Sequence, residues 1–241
     1  MSVLPKKILL VILLVLVIGF LLYYILKLIE PSSSPQNVLI SNVTDHQATV
    51  TWTTQKPTKG ALLVSDNGKF PILPIFTKIF RDDGEKLLGK MNFYPTHKVT
   101  VDNLDPNKTY QFRIYQGWKK KYQGSFTTGP VLQSINTPNP VYGRVLSSDK
   151  KPIVGALVYL QVINEASQSA KATRSSLLST LTNKEGRWSM DLANLRSFDL
   201  TDTYPVGNNT TEEIIVDTGR SRVKAQTTTK QDNPWPDIIL K

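Results

Sequence analysis

Leu104-Asp-Pro-Asn-Lys-Thr-Tyr110-Gln-Phe112-Arg-Ile114 joins a polar, proline-bearing turn to a run in which apolar and polar side chains alternate. A period of two places Tyr110, Phe112 and Ile114 on one face of a strand and the polar residues between them on the other. The same alternation recurs on both sides of this stretch: Val38 and Ile40; Ala48, Val50 and Trp52; Leu62 and Val64 after Gly60; Val99 and Val101 ahead of Leu104. Short alternating runs separated by turn signals predict an antiparallel β-sandwich.

In order and spacing these runs resemble a fibronectin type III domain over residues 36–129. The resemblance implies that Leu104 plugs the bottom of the core and that Pro106 shapes the turn before the next strand. It also implies that the Tyr110 hydroxyl bonds back to nearby backbone as a tyrosine corner, and that Trp52 packs inside. Ser125-Phe-Thr-Thr128 stands where the closing strand would be. Residues 66–95 are longer than the usual connection. They include Phe70-Pro-Ile-Leu-Pro-Ile-Phe-Thr-Lys-Ile-Phe80, whose prolines cannot donate ladder hydrogen bonds, so an edge strand or a wrapping loop is expected.

A second module begins after Thr137-Pro-Asn-Pro140. Val141-Tyr-Gly143-Arg-Val145 is followed by a polar turn, by Pro152-Ile-Val-Gly155-Ala156-Leu-Val158, and by Thr182-Asn-Lys-Glu-Gly186-Arg-Trp188. This trio resembles a carboxypeptidase regulatory-like domain, a seven-stranded transthyretin-like sandwich. Gly155 and Ala156 let a strand start close to a neighbour's backbone. Gly186 supplies the positive φ of a turn, and Trp188 is expected to pack across its hairpin. Asn183 stands where the family often has Asp. Such domains accompany zinc carboxypeptidases without carrying catalytic residues, and the H-x-x-E zinc signature is missing here. The fold class expected is therefore all-β: two consecutive antiparallel sandwiches behind one N-terminal transmembrane helix.

That helix is read from Ile8 to Leu26, 19 uncharged residues between Lys7 and Lys27. As a helix they would extend about 28 Å, near the thickness of a bilayer core. Lys6 and Lys7 place the short tail inside by the positive-inside rule. A cleaved signal peptide would need a shorter apolar core and small residues at a cut site, which Tyr23-Tyr-Ile-Leu-Lys-Leu-Ile-Glu-Pro31 lacks. The layout expected is a cytoplasmic tail (1–7), a membrane anchor (8–29), a linker (30–35), the first domain (36–129), a linker (130–140) and the second domain (141–241). A single-pass cell-membrane protein with its C-terminal domains extracellular follows, the two sandwiches forming a rod of about 80 Å at roughly 40 Å each.

The chain contains no cysteine, which suits a bacterial envelope protein and excludes thiolate metal sites. Net charge is +10, concentrated in residues 31–129, where 13 Lys and Arg face 7 Asp and Glu. Nucleic acid is not expected as a partner of an outward-facing domain. His46 and His97 have no Glu or His at ligand spacing, so no metal is expected, and no cofactor-binding loop is present. Asp82-Asp-Gly-Glu85 reads as a solvated turn. No G-x-S-x-G elbow or other catalytic signature appears, so no catalytic residue and no enzymatic activity are expected. The binding candidate is Trp118-Lys119-Lys120-Lys121-Tyr122 at a hairpin tip, where aromatics flanking lysines could stack on sugars and pair with anions. Solvated lysines with an aromatic pair packed across the strands are the plainer reading of it. The function expected is display of two sandwiches for adhesion, protein docking or spacing among envelope proteins. The alternative is binding of glycans or anionic wall polymers.

Overall fold

Alternation along the chain becomes sheet pairing in the computed structural model, which describes residues 6–28, 33–70, 79–88, 93–116, 119–133, 137–164, 173–207 and 210–240. In the first sandwich, β1 (Gln36–Ser41), β2 (Ala48–Thr58) and β5 (Tyr94–Val101) form one antiparallel sheet in the order β1-β2-β5. The facing sheet runs β4 (Ile79–Arg81), β3 (Ala61–Ser65), β6 (Thr109–Gln116), β7 (Lys119–Thr127). Ala48, Val50 and Trp52 meet Leu62, Phe112 and Ile114 between the sheets, and all are buried. Most of the expected edge strand or loop over Phe70–Phe80 lies outside the described residues, and Ile79–Arg81 pairs with β3 as β4.

Among the described residues the second sandwich has seven strands. One sheet contains β10 (Leu178–Leu181), β9 (Leu157–Ile163), β12 (Thr211–Asp217) and β13 (Arg222–Thr228) in the order β10-β9-β12-β13. The other is β11 (Arg187–Asp191), β8 (Pro140–Ser147) and β14 (Ile238–Leu240), with β14 parallel to β8. Val141 and Val145, Val158 and Leu160, Ile214 and Val216, Trp188 and Trp235 fill its core.

The expected rod of separate domains is not what forms. The outward face of β1-β2-β5 lies on the outward face of β10-β9-β12-β13, and residues 33–241 make one compact unit. Thr49, Thr51 and Thr53 point away from the first core, yet each is at most 1% exposed. Tyr159 donates its hydroxyl proton to Thr51 Oγ1 at 2.9 Å. The Ser41 and Ser179 hydroxyls are 2.7 Å apart. Asn42 acts as a connector: its Nδ2 donates to the Ser179 carbonyl (3.0 Å) and its Oδ1 accepts from the Ser179 amide (2.9 Å). Thr96 donates to the Gly155 carbonyl at 2.6 Å. Leu157, Tyr159 and Leu181 with Leu39, Leu177 and Ile215 supply the apolar part of the seam. At one end Arg196 reaches Asp45 (3.0 Å) and the Pro130 carbonyl (2.7 Å). The buried polar groups named along this seam are tolerated because each has a partner.

The N-terminal helix α1 spans Lys6–Leu28 and forms a unit of its own. Here the expectation of a membrane anchor, and with it a cell-membrane location with extracellular domains and the membrane as a partner, is corrected. Among the described residues no helix is long and apolar enough to cross a membrane. Of the expected span, the side chains of Ile8 and Leu10–Tyr23 are described, and all are exposed. The remainder of the expected span falls outside the described side chains.

Candidate functional site

Asp82, expected in a solvated turn, is 2% exposed. It accepts from the Gly84 amide at 2.9 Å and so caps helix α2 (Asp83–Leu88). Its other oxygen accepts from His97 Nδ1 at 2.6 Å, while the Thr58 hydroxyl lies 3.0 Å from His97 Nε2. An acid, an imidazole and a hydroxyl are thus aligned as in a nucleophilic relay. His97 has no exposed surface and Thr58 is buried. Trp52 stacks on the imidazole at 4.8 Å between centroids, and Gly60 sits so close to both rings that a Cβ would collide with them. The relay is a buried cross-brace between α2, β5 and β2. Sequence reasoning missed it because its members are far apart in the chain.

The Tyr110 hydroxyl accepts from the Asp105 amide at 2.9 Å, tying the turn before β6 to its own strand. Leu104 is buried beneath it and Pro106 is exposed on the turn. Of the hairpin candidates, Trp118 lies outside the described residues. Lys119, Lys120, Lys121 and Tyr122 are all exposed on β7, an edge strand whose lysines discourage pairing with another chain. Tyr122 stacks at 6.1 Å on Phe112. Among the described residues no ion pair draws these lysines into a site.

The second sandwich builds a more defined surface. In the β10–β11 hairpin Asn183 Oδ1 accepts from the amides of Glu185 (3.0 Å) and Arg187 (2.9 Å). Gly186 takes φ +69° there, and a Cβ would come within 2.6 Å of the Val145 carbonyl. Gly155 takes φ +72° next to buried Ala156, before β9. The tight turn fixes the register of β11 on β8: Arg187 opposite Arg144, Trp188 opposite Gly143, Ser189 opposite Tyr142. Trp188 points inward, edge-on to Trp235 with centroids 6.4 Å apart. Gly143 makes room, since a Cβ would lie 2.9 Å from Trp235 Cβ and 3.0 Å from Trp188 Cζ2. Both tryptophans are 3% exposed, so neither offers a carbohydrate platform.

On the outward face Asp237 holds Arg144 in a two-pronged contact, at 3.0 Å to Nε and 2.7 Å to Nη2. The Arg187 guanidinium has no partner among the described residues. Tyr142 is 42% exposed beside the small Ser189. With Leu87 of α2 opposite, these residues border a cleft of about 720 Å³. The arrangement can bind but holds no nucleophile paired with a base. Among the described residues no cluster of metal-ligating side chains occurs.

Residues 33–131 match the family model for the fibronectin type III domain. No curated protein matches the chain. Among solved structures, the chain is similar to the FN1–FN3 domains of chicken CNTN1, at 11% identity over 86% of this chain and 68% of that one, with a TM-score of 0.31. A two-domain fibronectin type III segment from chicken tenascin matches at 13% identity over 81% and 99%, with a TM-score of 0.25. A computationally redesigned β-sandwich protein matches at 22% identity over 40% and 95%, with a TM-score of 0.29.

Proposed function

We propose that this chain is a non-enzymatic scaffold whose two sandwiches act as one rigid body for protein docking, adhesion or spacing. The observation that carries this reading is the seam, where buried threonines and a hydrogen-bonded Asn42–Ser179 pair fix one sandwich on the other. Fibronectin type III sandwiches commonly mediate protein interaction, and the match over residues 33–131 supports such a role. Residues 141–241 are assigned on their glycine and tryptophan pattern as a carboxypeptidase regulatory-like module. In this role they extend the scaffold and stiffen it. Catalysis is disfavoured because the acid–imidazole–hydroxyl alignment is sealed from solvent.

Incubating the full chain with peptide and ester substrates tests the non-enzymatic part: no turnover is expected, and turnover that co-purifies with the chain through successive columns overturns the proposal. Lys120→Cys and Lys230→Cys, labelled in a chain free of native cysteine, test the rigid-body part. One narrow distance distribution is expected, and a broad one would count against it.

A further inference from the structure

We propose that the cleft over Tyr142 binds an acidic saccharide, with Arg187 taking the carboxylate and Tyr142 packing on the sugar ring. The inference stands independently of the docking role above. Like charges directly opposite on a sheet repel, and Arg144 and Arg187 are directly opposite. Asp237 neutralises only Arg144. The second guanidinium is left as an unoccupied planar fork, which is the shape that grips a carboxylate with two parallel hydrogen bonds. A protein stabilised by this sheet alone gains nothing from that arrangement, whereas an anionic ligand resolves it.

The rest of the cleft is rich in donors. Asn183 uses its carbonyl oxygen in the turn, which leaves its Nδ2 free. The Ser189 and Thr180 hydroxyls have no partner among the described residues. Sugar hydroxyls and a ring carboxylate supply the missing acceptors. Tyr142 is 42% exposed and its cross-strand neighbour is only a serine. An aromatic face ringed by planar polar groups suits the C–H face of a pyranose. Peptide ligands are less well served, since among the described residues of the cleft only Leu87, Tyr142 and Pro234 are exposed apolar side chains. The volume of about 720 Å³ accommodates a short oligosaccharide.

Calorimetric titration of the full chain with trigalacturonate tests the assignment. Saturable binding is expected, weakened about tenfold or more in Arg187→Ala and less in Arg187→Lys. Tyr142→Ala should weaken it comparably, and neutral galactotriose should bind at least about tenfold more weakly than the acidic trimer. Lys120→Ala, on the remote β7 edge, should bind as the parent does. Far-UV circular dichroism and melting curves establish that each variant is folded. Equal binding of the neutral trimer, or equally tight binding of polyglutamate, would overturn the ligand class. Absence of saturation, or a loss in Lys120→Ala matching that in Arg187→Ala, would overturn the site.

Discussion

Glu212 breaks the pattern of its own strand. Along β12 the inward positions are Glu212, Ile214 and Val216, so a carboxyl group stands where a core side chain belongs. It has no exposed surface, and its Oε2 accepts from Trp235 Nε1 at 2.7 Å. The other oxygen has no donor among the described residues. Burial pushes its carboxyl up to about 8; the Trp235 hydrogen bond works against that rise, and the neighbouring Asp232 adds to it. In the unfolded chain the same group titrates near 4.3. Between about pH 4.5 and 8 the folded state therefore holds more protons than the unfolded state, and stability must fall as pH rises. Glu212→Gln keeps an acceptor for Trp235 and removes the ionisation. Its melting temperature is expected to be flatter across that window and to exceed the parent's near pH 9, by about 2–4 °C for each kcal/mol relieved. A parent and variant with parallel pH profiles would show that this carboxyl does not govern the acid-to-base trend.

At the scale of the element, β2 shows how far alternation can be trusted. Val50 and Trp52 were legible as core residues from their period of two. Thr49, Thr51 and Thr53 read as a solvent face and are instead buried against the second sandwich. Threonine suits both environments, so the pattern alone could not separate them. The signal lay in the partner: Leu157-Val-Tyr-Leu-Gln-Val-Ile163 is apolar on both faces, the mark of a strand covered on both sides. The cleft was less legible still, because Arg187 meets Arg144 only through the β8–β11 register. Asp82 was hidden for a related reason. A short acidic run looks hydrated until His97, fifteen residues on, folds over it. Asp82→Ala removes the α2 cap and leaves His97 Nδ1 without its acceptor in a sealed site, so a loss of about 2–4 kcal/mol is expected. Asp82→Asn retains an acceptor for one of these contacts and should lose less. Urea denaturation midpoints rank the three proteins, and an alanine variant within about 0.5 kcal/mol of the parent would show that the brace is idle.

Taken as a whole, residues 33–241 join two sandwiches through a face that neither could expose without cost. Separated, they would return Tyr159, Leu157 and Leu181 to water together with the serine and threonine hydroxyls that now pair across the seam. Apolar burial at about 25 cal/mol per Å² and hydrogen bonds of about 1 kcal/mol each make such a seam strong enough to couple the two units in unfolding. The tip of the β12–β13 hairpin reinforces it. Gly219 takes φ +77°, and a Cβ there would come within 2.9 Å of the Pro95 carbonyl in the other sandwich. The parent is therefore expected to melt in a single calorimetric transition despite having two hydrophobic cores. Thr51→Arg forces a long charged side chain into a position with no exposed surface, directly beneath Tyr159. It leaves both cores intact, since Thr51 belongs to neither. The transition should split in two, and the distance distribution between labels at positions 120 and 230 should broaden. Tyr159→Phe, which deletes only one hydroxyl, should lower the single melting temperature without splitting it. Should the parent itself melt in two steps, or Thr51→Arg still melt in one with a narrow distance distribution, the seam would be a contact surface and not the joint that makes the two sandwiches one body.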